Sequence, residues 1–133
     1  MSGETHLAKL IVAMSPELSD EEYVFCTFEN AHYGDHAALQ PIAAMHESEG
    51  LTLVVPRASA ERAKLDYDAV FRHISLRVHS SLEAVGLTAA FSSKLAEHGL
   101  SANVVAGYYH DHIFIPAGDA VPAMAALGEL SGA

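Results

Sequence analysis

The sequence predicts an α+β domain, with helices packed on an antiparallel sheet. Three observations predict it. Residues 71–79 alternate, with Ile74, Leu76 and Val78 on one side and His73, Ser75, Arg77 and His79 on the other. That period of two marks a half-buried strand. From Leu87 the period turns helical, with Leu87, Ala90, Phe91 and Leu95 recurring at three- and four-residue spacing, an apolar stripe fit to lie on a sheet. Residues 102–108 and 113–115 then read as two short strands, rich in small and β-branched side chains.

Local signals justify the boundaries. Gly86 or Thr88 can open the first of these helices. Gly99 suits a left-handed C′ position, with Leu100 packing back on Leu95 as in a Schellman motif. Lys94 and His98 fall in the last turn, where cations are favoured. His110-Asp111 is the expected tight turn between the two strands, because Asp tolerates left-handed backbone angles. Helical spacing returns at Val121, Met124, Ala125 and Leu127, with Asp119 as N-cap and Pro122 in the first turn. The order is β-α-β-β-α. One further strand would complete a ferredoxin-like βαββαβ unit, supplied by the upstream half or by another chain.

Upstream, Leu7, Leu10, Ile11 and Met14 lie at i, i+3, i+4 and i+7 and predict a helix over 4–14, stopped at Ser15-Pro16. Residues 22–28 form a strand and 29–40 a loop. Residues 41–46 form an edge strand begun by Pro41, Glu49-Gly50 a hairpin turn and 51–55 its partner. A short helix spans 58–65. This half looks like a partial second copy of the downstream plan, which divides the chain at 1–68 and 69–133.

The chain has 133 residues, half of them hydrophobic, enough for a core. Lys and Arg total 7 against 17 Asp and Glu, a formal charge of −10. With no basic footprint to neutralise phosphates, nucleic acid is excluded as a partner, and an anionic membrane surface with it. Acidity of this size favours solubility. The N-terminus shows no signal-peptide pattern, and no apolar run approaches a membrane span. Cys26 is the single cysteine, in the apolar run from Tyr23 to Phe28; it reads as a buried, inert thiol and fits a reducing cytoplasm.

The runs HSSLEAVGLTAAFSSKLAEHGLSANVVAGYYHDHIFI, MSPEL, YVFCT and EGLTL together resemble small stand-alone bacterial proteins with tandem ACT-like units, a family of uncharacterised function. The resemblance spans nearly the whole chain. It implies two ferredoxin-like units and binding of an amino acid or similar small effector near the turn between a first strand and first helix. On this sequence that turn is 83–88. No enzyme domain is attached to the pattern.

The residues of that turn have a physical case. Glycine at 86 lets a ligand approach the backbone, and the helix behind it offers free N–H groups and a positive dipole end to a carboxylate. The alternative is that Gly86 serves only strand–helix packing. The expected ligand contacts are Ser81, Val85, Gly86, Leu87 and Thr88 for the carboxylate and backbone, with Asn103, Tyr109 and Asp111 at the polar far end. His110, Asp111 and His112 form a dense polar cluster, but neighbours on a strand point to opposite faces, so no metal is expected. His79-Ser80-Ser81 beside Glu83 lacks the geometry of a nucleophile and base, and turn-forming serines are expected instead. The reading is a non-catalytic regulatory module, without cofactor, that binds an amino acid and forms a homodimer through sheet edges or helix faces. A ligand-free interaction module is the rival, and a metal-dependent enzyme built on His110 and His112 the third class.

Overall fold

A computed structural model describes Gly3 and residues 5–132. Ten regular elements follow one another: α1 (Leu7–Val12), β1 (Pro16–Phe28), β2 (Ala43–Glu47), β3 (Gly50–Pro56), α2 (Arg57–Arg62), β4 (Phe71–Leu76), α3 (Leu87–Glu97), β5 (Asn103–Ala106), β6 (Asp111–Pro116) and α4 (Ala120–Ser131). Single 3-10 turns occupy Ala37–Leu39 and Ala117–Asp119. They pack into two compact units. One runs up to Ser19 and resumes at Arg72; the other is Asp20–Phe71.

In the first unit the strand order is the start of β1, then β4, β6 and β5. The strand missing from the downstream half is therefore the chain's own, Pro16–Ser19. Arg72 fixes it by donating from its guanidinium to the Ser19 carbonyl at 2.7 and 3.1 Å. The Arg77 N–H donates to the Ser15 carbonyl at 3.2 Å. The core lies between the sheet and helices α1, α3 and α4. Leu10 and Met14 of the N-terminal segment, Ile74 and Leu76 of β4, Phe91 and Leu95 of α3, Ile113 and Ile115 of β6 and Leu127 of α4 are all fully buried there. The α1 stripe is thus half used: Leu10 is inside, Leu7 remains at the surface. α3 ends as its sequence demands. Leu100 N–H reaches the Leu95 carbonyl at 3.0 Å and Gly99 N–H the Ala96 carbonyl at 2.9 Å, the two bonds of a Schellman motif.

In the second unit β3 is central, antiparallel to β1 and to β2. Its core is Val24, Leu51, Leu53, Val55 and Ala60 with Cys26 and Ala31. Cys26 is buried, and burial pushes its thiol up from the usual range, which fits an inert thiol.

Three local expectations change. β1 begins at Pro16, not at residue 22, because its acidic first half pairs as a strand without showing apolar alternation. β4 is buried on both faces, not one: His73 and Ser75 are buried along with the fully enclosed Ile74 and Leu76. The turn between β5 and β6 is not His110-Asp111. Ala106 pairs with Asp111, and the Gly107 N–H donates to the His110 carbonyl at 2.9 Å, so the turn is 107–110 and Asp111 opens β6. A Cβ on residue 107 would sit 2.9 Å from that carbonyl and 3.2 Å from His112 Nε2. Only glycine permits this closure.

Leu10→Ala is expected to cost about 2–5 kcal/mol in a urea titration, the range for emptying a packed core site. A loss below about 0.5 kcal/mol would remove α1 from the core.

Candidate ligand-binding site

β4 ends at Leu76, and the chain turns through residues 77–86 before α3 starts. Ser81 shapes this turn by accepting the Glu83 N–H on its Oγ at 3.1 Å, a turn-forming role rather than that of a nucleophile. Gly86 is the N-cap of α3 with φ of 102°, a left-handed angle that favours glycine. A Cβ there would meet the Leu7 side chain at 3.0 Å. The glycine therefore makes room for α1, in line with the packing role. No side chain caps α3. Its first N–H groups have no intrahelical partners.

Across from the start of α3 lies the closing pair of the β5–β6 hairpin, Ala106 and Asp111. Together these segments line a cavity of about 140 Å³, partly open to solvent, with Ser80, Ser81, Leu82, Ala84, Gly86, Leu87, Thr88, Ala106 and Asp111 in its walls. Asp111 shares a face with Ile113 and Ile115, since side chains alternate along a strand. It is the polar end of an otherwise apolar row. The residue is 8 % exposed; no hydrogen bond or ion pair to its carboxylate occurs among the described residues, and its oxygens keep contact with solvent. Burial raises its pKa above the usual carboxylate range, while His112 and His110 pull more weakly the other way. The cavity thus carries a negative group at one wall and free backbone donors at the other.

Five expected contacts meet here: Ser81, Gly86, Leu87, Thr88 and Asp111. Three do not. Val85 is 82 % exposed at the outside of the turn. Tyr109 is 61 % exposed and packs on His79 at 5.2 Å between ring centroids. Asn103 donates its amide to the Phe114 carbonyl at 3.3 Å on the edge strand. Sequence reasoning missed Ser80, Leu82, Ala84 and Ala106. Ala106 could have been found only from the hairpin register, because its place in the site follows from its pairing with Asp111.

The neighbouring histidines do not join this cavity. His112 points to the opposite sheet face, where its Nδ1 meets His73 Nε2 at 2.8 Å and its ring stacks on that of His73 at 5.1 Å. Phe114 stacks on the same imidazole at 5.2 Å. One imidazole donates and the other accepts, so the pair is stable with both rings uncharged or with one proton added at a cost. Burial first, and the His112 charge second, lower His73 to about 4; burial also lowers His112. His110 Nδ1 lies 3.4 Å from the Val78 carbonyl. Among the described residues no three His, Cys, Asp or Glu side chains converge to hold a metal.

One family model described as an ACT domain matches residues 2–72, and a second, also described as an ACT domain, matches 70–129. The chain belongs to the ACT-domain family. Its ferredoxin-like α+β fold follows from the same matches. The ACT chain is similar to a solved Vibrio cholerae protein of unknown function, described as a possible transport protein. The two share 54 % identity over 94 % of this chain and 95 % of that one, with a TM-score of 0.85. An Agrobacterium tumefaciens protein shares the fold at 13 % identity, with a TM-score of 0.73 over 87 % of both chains. The ligand-free regulatory subunit of aspartate kinase from Thermus thermophilus does so at 12 % identity and a TM-score of 0.65, over 89 % of this chain and 97 % of that. No curated protein matches the sequence. No helix among the described residues is long and apolar enough to cross a membrane.

Two expectations follow. Asp111→Asn should raise the stability of the ligand-free protein by about 0.5 kcal/mol at pH 7, because it removes a charge that partial burial disfavours while its oxygens still reach solvent. An equal or larger loss in chemical denaturation would show that the carboxylate is a structural group. The second concerns pH. His73 is neutral when folded but protonates near 6.5 when unfolded, so the unfolded chain binds more protons between about 6.5 and 4. Stability should therefore fall as pH drops through that window, by at most about 3 kcal/mol from this residue. His73→Phe should flatten the pH dependence of the urea midpoint; an unchanged slope would clear His73.

Proposed function

We propose that this chain is a non-catalytic regulatory module that binds an amino acid or a similar small polar metabolite in the cavity between Asp111 and the start of α3. One observation carries the reading: a largely buried carboxylate at the wall of a cavity, with no protein hydrogen-bond partner among the described residues, across from an uncapped helix start. A charge held where burial disfavours it weakens the fold. A ligand ammonium beside Asp111 would relieve that cost, and a ligand carboxylate would accept from the free N–H groups of α3. Membership of the ACT family supports a regulatory role in general.

The setting of this module is the cytoplasm, where the lone thiol of Cys26 stays reduced. Its assembly is a homodimer. β5 supports that reading: it lies at the end of its strand order, and Asn103, Val105 and Ala106 are exposed along it. Such an edge pairs readily with another chain. The rival, a ligand-free dimerisation module, rests on the same edge.

Thermal-shift measurements with each of the twenty amino acids at millimolar concentration separate the two. At least one should raise the melting temperature by a few degrees, since saturation at about 100 Kd adds about 2.7 kcal/mol. Asp111→Asn should lose the response while melting no lower than the parent without ligand. No response to any amino acid would favour the dimerisation module.

A further inference from the structure

The second unit carries a strand edge that no strand of its own covers. It contributes β2, β3 and the later part of β1, with β1 outermost of the three. β4 accompanies only the start of β1: Arg72 near its beginning meets Ser19, and Arg77 just past its end meets Ser15. Cys26, Thr27 and Phe28 pair with Leu53, Thr52 and Leu51 of β3 on one side. On the other side the segment 65–70 forms no strand, and among the described residues no backbone hydrogen bond joins it to 26–28.

Local chemistry explains why that segment does not pair. Lys64 ends α2 at a left-handed φ of 56°, and the Leu65 N–H returns to the Ala60 carbonyl at 2.9 Å. Leu65, Tyr67 and Val70 then pack on the core. The Tyr67 hydroxyl accepts from Arg57 Nε at 3.0 Å and donates to Glu61 Oε1 at 2.6 Å. The Cys26 thiol, on the core face of β1, donates to the Asp66 carbonyl at 4.0 Å. The segment is thus held over that face rather than beside the strand.

Between the segment and β1 lies a cavity of about 480 Å³, partly open to solvent and lined by residues 25–28 and 64–68. Side chains alternate between the two faces of a strand. A cavity that touches four residues in succession therefore runs along the edge of β1, over roughly 13 Å. Backbone N–H and C=O groups alternate between the two edges of a strand, and those turned away from β3 point toward this groove. Such an edge is a template for one more strand. Charge selects which strand. Asp66 and Asp68 are exposed at the rim against Lys64 alone. Over residues 20–71 ten Asp and Glu stand against three Lys and Arg. A second copy of this acidic chain would meet like charge there, whereas a basic strand meets opposite charge.

We propose that this groove takes an extended, basic segment of a partner protein, which adds to β1 as a further strand of the second unit. Alternate side chains of that segment are apolar, against Phe25, Phe28 and Tyr67, and cationic, against Asp66 and Asp68. The proposal is independent of an amino-acid ligand beside Asp111. Calorimetry on the full chain with a synthetic peptide of alternating lysine and valine tests it. The peptide should bind with about one site per chain and slow amide hydrogen exchange within 25–28. The same peptide N-methylated at every residue keeps its charge but donates no backbone hydrogen bond, and should bind at least about tenfold more weakly. A peptide of alternating glutamate and valine should not bind. The double variant Asp66→Asn, Asp68→Asn, at two exposed positions, should melt as the parent does and weaken the lysine peptide about three- to tenfold. No binding of the lysine peptide, equal affinity of the N-methylated or glutamate peptide, or unchanged affinity in the double variant would overturn the proposal. Self-association that the lysine peptide displaces would place a second copy in the groove and overturn it as well.

Discussion

Closure of the β5–β6 hairpin at Gly107 governs the rest of the structure. The Gly107 N–H to His110 carbonyl bond sets the turn at four residues, and the contacts a Cβ would make leave glycine alone able to occupy the position. With that turn in place Ala106 faces Asp111 and each later residue of β6 has its face assigned. A one-residue slip would exchange the faces. Asp111 would leave the cavity, His112 would turn toward the apolar core, and Phe114 would leave the face it shares with His73.

The hairpin separates two kinds of buried polarity. On one face Asp111 lines the cavity with no hydrogen-bond partner among the described residues, and its carboxyl holds its proton more tightly than usual. On the other, His73 and His112 satisfy each other at 2.8 Å and stay neutral because burial disfavours their charge. The imidazole pair is a self-contained structural solution. The carboxylate is not, and proteins accept such a cost chiefly at sites that meet a ligand. The same logic separates Ser81, whose hydroxyl is engaged in shaping its turn, from a reactive group.

Much of the fold was legible because the signals were local. Alternation along residues 71–76, the stripe of Leu87, Phe91 and Leu95, and the Gly99-Leu100 stop each mark their element within a few residues. The first half of β1 was not legible. Its acids lie exposed, and no apolar alternation marks it as a strand. The hairpin turn was misplaced for a related reason. His110-Asp111 has the chemistry of a tight turn, yet the preference of Asp for turns gave way to the approach that Gly107 allows. Of the candidate site, the turn residues Ser81, Gly86, Leu87 and Thr88 were readable as a segment, whereas Asn103 and Tyr109 were assigned to a far wall that they do not form.

The sequence by itself determined the kinds of elements, their order and the helix stop at Gly99, since these depend on periodicity and on backbone preferences of neighbouring residues. It also set the formal charge of −10 and the single cysteine. Only the tertiary structure decided which strand completes the unit around β4. Pro16–Ser19 and Arg72 lie far apart along the chain, and it is the guanidinium bonds to the Ser19 carbonyl and the packing of Leu10 and Met14 that bring them together. Only it, too, decided that Asp111 faces a cavity and His112 a histidine. Side-chain direction on a strand depends on register, and register depends on how two strands close on each other.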